Sequence, residues 1–210
     1  MTNGQEALQR LREGNERFAT EANTGERFLR RMGRAKTDFE QQPFAVILGC
    51  SDSRVPVEIV FDQDLGDLFV IRVAGNIVAP SQLGSIEYAA EQFGTPLVVV
   101  LGHTHCGAVL GTLERLRRPA VPLSPHTRFI ADHISPAVAG LLAPELGYDR
   151  DTVIRKSVRA NVLQSVEQLR HGSKILESLI ESDELLVVGA EYSLETGRVT
   201  FLDDATGTAA

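Results

Sequence analysis

The sequence predicts an α/β fold: a mostly parallel four-stranded sheet of order 2-1-3-4 with an edge hairpin strand, flanked by helices and preceded by an N-terminal helical arm. Three observations carry this. Short continuous apolar runs recur at Phe44–Leu48, Leu68–Val73, Leu97–Leu101 and Leu185–Val188, as expected of strands buried on both faces of a parallel sheet. Segments of helical spacing lie between them, which is the alternation of an α/β sheet. The chemically unusual residues fall just past the first and third runs. In the order 2-1-3-4 those two strands are neighbours, and ligands bind beyond strand ends where the order reverses.

Taken in order, Glu6–Thr20 carries Leu8, Leu11 and Phe18 among charges, the spacing of one apolar helix face. From Glu21 to Gln42 the pattern dissolves into charge and glycine, so residues 1–42 read as an arm and connector and residues 43–210 as the α/β domain. The charged first helix has little to pack on in a small domain and is expected to lie across a partner. After the first two strands, Ser85–Phe93 has helical spacing and stops at Gly94. The segment Arg117–Pro144 holds Pro119, Pro122, Pro125, Pro136 and Pro144, so short, interrupted helices are expected there. Val158, Val162, Val166 and Leu169 form the stripe of a longer helix over Val153–Leu169 that ends at Gly172, and Ser173–Ile180 reads as a second, short one. The final runs, Ala190–Leu194 and Arg198–Leu202, flank Glu195-Thr196-Gly197 and predict the edge hairpin.

The composition removes several classes of function. The longest apolar runs fall far short of the ~20 residues that span a bilayer. With 28 acidic and 21 basic residues, a net charge of -7 and no basic stripe, a nucleic-acid partner is not expected. No membrane partner is expected either, and the start MTNGQEALQRLREG lacks the pattern of a secretory signal, so the expected location is cytoplasmic. In a reducing compartment the two cysteines, Cys50 and Cys106, are buried, catalytic or metal-bound rather than bridged.

Cys50 follows the first strand, and His103 and Cys106 follow the third. Two thiolates and an imidazole form a good donor set for zinc, and Cys2His with an open fourth position is a catalytic rather than a structural arrangement. His103 and Cys106 are three apart and converge if the chain enters a helical turn. His105 is adjacent to Cys106, and its side chain is expected to diverge from that set. Asp52 and Arg54, two apart, point to the same side of an extended segment and can form a carboxylate–guanidinium pair. A phosphatase-like or sulfurtransferase-like loop fits less well: only three residues separate Cys50 from Arg54, and Asp52 among them would repel an oxyanion.

These residues resemble the β-class carbonic anhydrases. The resemblance rests on CSDSR at Cys50–Arg54 and GHTHCG at Gly102–Gly107, and extends through RVPVEIVFDQDLGDLFVIRVAGN, GSIEYA, NVLQSVEQLR and GAEYSLETGRVTFLD. It implies one Zn2+ per chain on Cys50, His103 and Cys106, reversible hydration of carbon dioxide to bicarbonate, and a homodimer or dimer of dimers with pocket residues from both subunits. Arg54 then holds Asp52, which orients the attacking group or, in a closed form, ligates the metal itself. Gln41, Phe69 and Tyr88 stand nine before Cys50, nineteen after it and fifteen before His103, the spacing of the family's substrate pocket. Gly107 offers a backbone N–H to bicarbonate. Some bacterial members carry an inhibitory bicarbonate site built around a Trp three residues before the first zinc cysteine; Ile47 stands there, the chain has no Trp, and Arg72, which matches the basic partner of that site, does not make it alone. Relatives with the same zinc set hydrolyse carbonyl sulfide or carbon disulfide, which leaves that activity, and a turnover-deficient bicarbonate sensor, as alternatives.

Overall fold

The computed structural model describes residues 3–20, 41–118, 120 and 122–202. Five strands form one sheet: β1 (Ala45–Gly49), β2 (Leu68–Arg72), β3 (Leu97–His103), β4 (Leu186–Tyr192) and β5 (Val199–Leu202). The order is β2-β1-β3-β4-β5. The first four strands are mutually parallel, and β5 returns antiparallel along β4. The expected order and the antiparallel edge strand are therefore both present. One detail differs: the fourth apolar run and the first arm of the hairpin are a single strand. Gly189 does not end it, because its place is set by packing. A Cβ there would come 2.8 Å from Cγ1 of Val162, and one at Gly102 would come 2.5 Å from Cγ2 of the same valine. Both glycines let a helix lie close on the sheet.

That helix, Arg150–His171, is one of seven α-helices among the described residues: α1 (Gly4–Thr20), α2 (Val57–Val60), α3 (Pro80–Phe93), α4 (Gly107–Arg117), α5 (Pro125–Val138), α6 (Arg150–His171) and α7 (Lys174–Glu181). Alternation along the strands divides the core in two. Val46, Leu48, Val98, Val100 and Val187 face α3, α6 and α7, where Ile86, Ala89, Val162, Val166, Leu169 and Leu176 are buried. Ile47, Val99, Leu101, Val188 and Ala190 face α1 and α2.

On that second face Ala7, Leu8 and Leu11 of α1 are buried against Val60, Phe61 and Leu97. Asn15 donates to the carbonyls of Val60 and Gly197 at 3.1 and 2.9 Å and accepts from the N–H of Val199 at 2.7 Å. A Cβ on Gly14 would lie only 1.9 Å from the carbonyl oxygen of Phe61. The expectation that this helix finds little to pack on within its own chain is thus corrected: a leucine pair, a buried amide and a glycine contact fasten it to the sheet. Most of the expected connector, residues 21–40, lies outside the described residues.

The proline-rich stretch also holds more helix than expected. In α5, Pro125 occupies the first turn, where no N–H is needed, and Ser124 caps it through Thr127 N at 3.3 Å. Pro136 falls in the last turn, where its missing N–H removes a single helical bond. Similarly, α3 starts earlier than its apolar spacing suggests, with Pro80 in its first turn, and ends at Gly94 in the left-handed conformation.

Candidate metal centre

The order β2-β1-β3 reverses direction between β1 and β3, and the candidate site lies beyond their carboxyl ends. Cys50 directly follows β1, His103 closes β3, and Cys106 caps the N-terminus of α4. Their donor atoms all lie within 4.8 Å of one another, and the three residues form a group able to hold a metal ion. The two sulfurs are 3.9 Å apart. All three side chains are buried. His103 Nδ1 engages the Thr104 carbonyl at 2.9 Å, while Nε2 is buried with no hydrogen-bond partner. An orphaned imidazole nitrogen is costly, and a metal ion among these donors would satisfy it.

The electrostatics lead the same way. The Cys50 thiol is pulled down to about 4, first by the hydrogen bond from Cys106, while that bond and burial push Cys106 up. Two thiolates this close do not both ionise without a cation, so the metal-free pair shares one proton. Gly75 adds an N–H to the Cys50 sulfur at 3.4 Å. It has a φ of +72°, and a Cβ there would meet Ile134 at 2.8 Å, so only glycine suits this approach.

Asp52 and Arg54 form the expected pair. Arg54 Nε and its terminal nitrogen donate to Oδ1 and Oδ2 at 2.9 and 2.8 Å, and the Arg54 backbone N–H adds a third bond at 3.0 Å. These hydrogen bonds hold the Asp52 carboxyl well below the usual carboxylate range. Its Oδ2 stands 3.9 Å from His103 Nε2, beside the cluster. Gly107 begins α4, and nothing stands within 4 Å of where its Cβ would be. As the first helical residue, its N–H has no partner within the helix.

The other expected pocket residues are not brought to this cluster within one chain. Phe69 pairs in register with Val46, three residues short of Gly49, or about 10 Å back along the strand. Its ring packs with Tyr88 and Phe93, with centroids 6.3 and 6.2 Å away. Tyr88 remains 52% exposed. Gln41 is exposed on the segment leading into β1, at the opposite end of that strand from Cys50. His105 diverges as expected, pairing with Glu195 at 2.8 Å.

Sequence reading missed the scaffold of the Cys50–Arg54 loop. Arg72 donates to the carbonyls of Cys50 and Asp52 at 3.0 and 2.5 Å and so pins the loop from the adjacent strand end. The signal was available: Arg72 is the one charge inside the run LFVIRV.

With this geometry in view, the comparisons are consistent. The family model described as "Carbonic anhydrase" matches residues 45–199. Carbonic anhydrase 2 of Mycobacterium tuberculosis H37Rv is 38% identical over 204 residues, 96% of this chain and 94% of that protein. The carbonic anhydrase of Mycolicibacterium smegmatis is 39% identical over 196 residues, covering 92% and 90%. Among solved structures, the β-carbonic anhydrase CcaA matches with a TM-score of 0.69 at 28% identity, over 93% of this chain and 87% of that one. The Coccomyxa β-carbonic anhydrase matches with a TM-score of 0.67 at 27% identity, over 93% and 86%. Sheet order, donor cluster and relatives agree that the chain belongs to the β-class carbonic anhydrase family of enzymes.

Proposed function

We propose that this enzyme binds one Zn2+ per chain on Cys50, His103 and Cys106 and reversibly hydrates carbon dioxide to bicarbonate and a proton. The observation that carries this reading is the convergence of three buried donors beside an arginine-held carboxylate. The donor set suits zinc: two sulfurs 3.9 Å apart compare with about 3.8 Å for two thiolates on a tetrahedral zinc with ~2.3 Å bonds. When bound, zinc supplies a nucleophile near neutral pH by acidifying a water.

The remaining work belongs to the protein. Arg54 keeps Asp52 ionised and holds both its oxygens, with Oδ2 beside the cluster. Asp52 then accepts a hydrogen bond from the attacking water and orients its lone pair. The N–H of Gly107 donates to the bicarbonate formed. Phe69 and Tyr88 supply an apolar wall suited to carbon dioxide, and Gln41 lines the same pocket. Since they lie away from their own cluster, the reading assigns them to the site of a partner subunit in a homodimer or a dimer of dimers. The exposure of Tyr88 supports this.

The test is zinc analysis and stopped-flow hydration on one sample, alongside hydrolysis of carbonyl sulfide and carbon disulfide. Hydration with about one zinc per chain supports the reading. Faster hydrolysis of the sulfur substrates without hydration would replace it with the hydrolase alternative. Zinc with neither activity would favour a bicarbonate sensor.

A further inference from the structure

Glu195 lies at the turn between β4 and β5, far in sequence from the metal ligands, yet its carboxylate reaches both residues that separate His103 from Cys106. One oxygen accepts from Thr104 Oγ1 and from Ser193 Oγ, each at 2.9 Å. The other stands 2.8 Å from His105 Nε2. Thr104 is held on every side. Its hydroxyl oxygen also accepts from Leu194 N at 3.0 Å, and its own N–H donates to the Tyr192 carbonyl at 2.9 Å. Its carbonyl, in turn, engages His103 Nδ1. That last bond selects the imidazole tautomer, leaving the Nε2 lone pair for a metal.

His105 has a φ of +55°, a left-handed conformation uncommon for a residue with a side chain. This turn returns the chain so that Cys106 comes back beside His103. We propose that Glu195 is a positioning residue for the metal centre: acting through Thr104 and His105, it fixes the His103–Cys106 turn so that His103 Nε2 and Cys106 Sγ converge on Cys50 Sγ. The inference rests on the reading of these three residues as zinc ligands. Because His105 and Glu195 are both more than half exposed, their ion pair alone contributes little, and the Thr104 bond is the main link.

The test compares wild type, Glu195→Ala, Glu195→Gln, Thr104→Val and Thr104→Ser as zinc-loaded protein. One measurement is zinc release to a chromogenic chelator; the other is the sulfur-to-metal charge-transfer band of the cobalt(II) form. Groups that hold a metal ligand from behind typically change affinity about 10–100-fold. Glu195→Ala and Thr104→Val are therefore expected to release zinc about tenfold faster and to shift the cobalt band. Thr104→Ser, which keeps the hydroxyl, is expected to restore wild-type behaviour. Glu195→Gln keeps the size and one acceptor and is expected to fall between, so the test stands even if the alanine variant does not fold. Wild-type release and spectra in the folded Glu195 variants would overturn the role of Glu195 while leaving the zinc reading intact. A wild-type protein that binds no zinc would overturn both.

Discussion

Arg54 grips both carboxylate oxygens of Asp52, at 2.9 and 2.8 Å, and turns Oδ2 to a point 3.9 Å from His103 Nε2. A two-pronged guanidinium–carboxylate pair is strong and geometrically fixed. It competes with direct bonding of Asp52 to a metal held by the three donors. Arg54→Ala is expected to release Asp52 onto the metal and to lower hydration by about 10²-fold or more, the scale of lost acid–base positioning. Arg54→Lys is not expected to restore it, since lysine cannot reproduce the fork. Stopped-flow assays, with a structure of the zinc-loaded variant, check this; full activity in Arg54→Ala would contradict it.

The coupled cysteines give a proton count. With Cys50 lowered to about 4 and Cys106 raised, the metal-free pair carries one proton at pH 8. Zinc binding then displaces about one proton from the cysteine pair, and affinity strengthens about tenfold per pH unit there. Two independent, unperturbed thiols would instead release nearly two. Calorimetry in buffers of different ionisation enthalpy measures the number.

Cys106→Ser replaces a thiolate with a poor zinc donor at a fully buried position. Zinc content is expected to fall well below one per chain, and hydration to be lost. Metal analysis after gel filtration, with the same assay, checks both. Full zinc and normal turnover would remove Cys106 from the ligand set.

Much of the fold was legible because parallel strands buried on both faces read as continuous apolar runs, and the cluster of Cys50, His103 and Cys106, able to hold a metal ion, was legible because its residues sit at the ends of two such runs. The apolar runs stop at Leu101 and Val188, just before Gly102 and Gly189, yet both glycines lie inside strands as the space Val162 needs, a contact between distant segments that local pattern does not carry. The core packing of α1 was likewise hidden, because Asn15 and Gly14 make their contacts with residues 45 or more positions away. The Thr104–Glu195 bond joins residues 91 apart, with no local sequence signal.

The close packing at Gly189 can be measured. Gly189→Ala is expected to destabilise the protein by about 1–3 kcal/mol, the usual cost of overpacking. Adding Val162→Ala is expected to recover part of that loss, since the Val162 methyl is the atom in the way. Urea unfolding of the two single variants and the double variant gives the coupling; simple additivity would contradict the contact.

No inhibitory bicarbonate site of the Trp-based design is expected. Ile47 is fully buried in the core, and the Arg72 guanidinium is committed to two carbonyls of the Cys50 loop. Hydration inhibited by bicarbonate without cooperativity agrees with this. Strongly cooperative inhibition, with an anion bound beside Ile47 and Arg72, would contradict it.

The central claim is that Cys50, His103 and Cys106 hold the zinc that drives hydration. Its most direct test is titration of zinc into the metal-free protein, followed by stopped-flow carbon dioxide hydration. The expected result is activity that rises from near zero, linearly, and stops at about one equivalent per chain. Activity that is already present without metal, or that never appears once zinc is bound, would contradict the account.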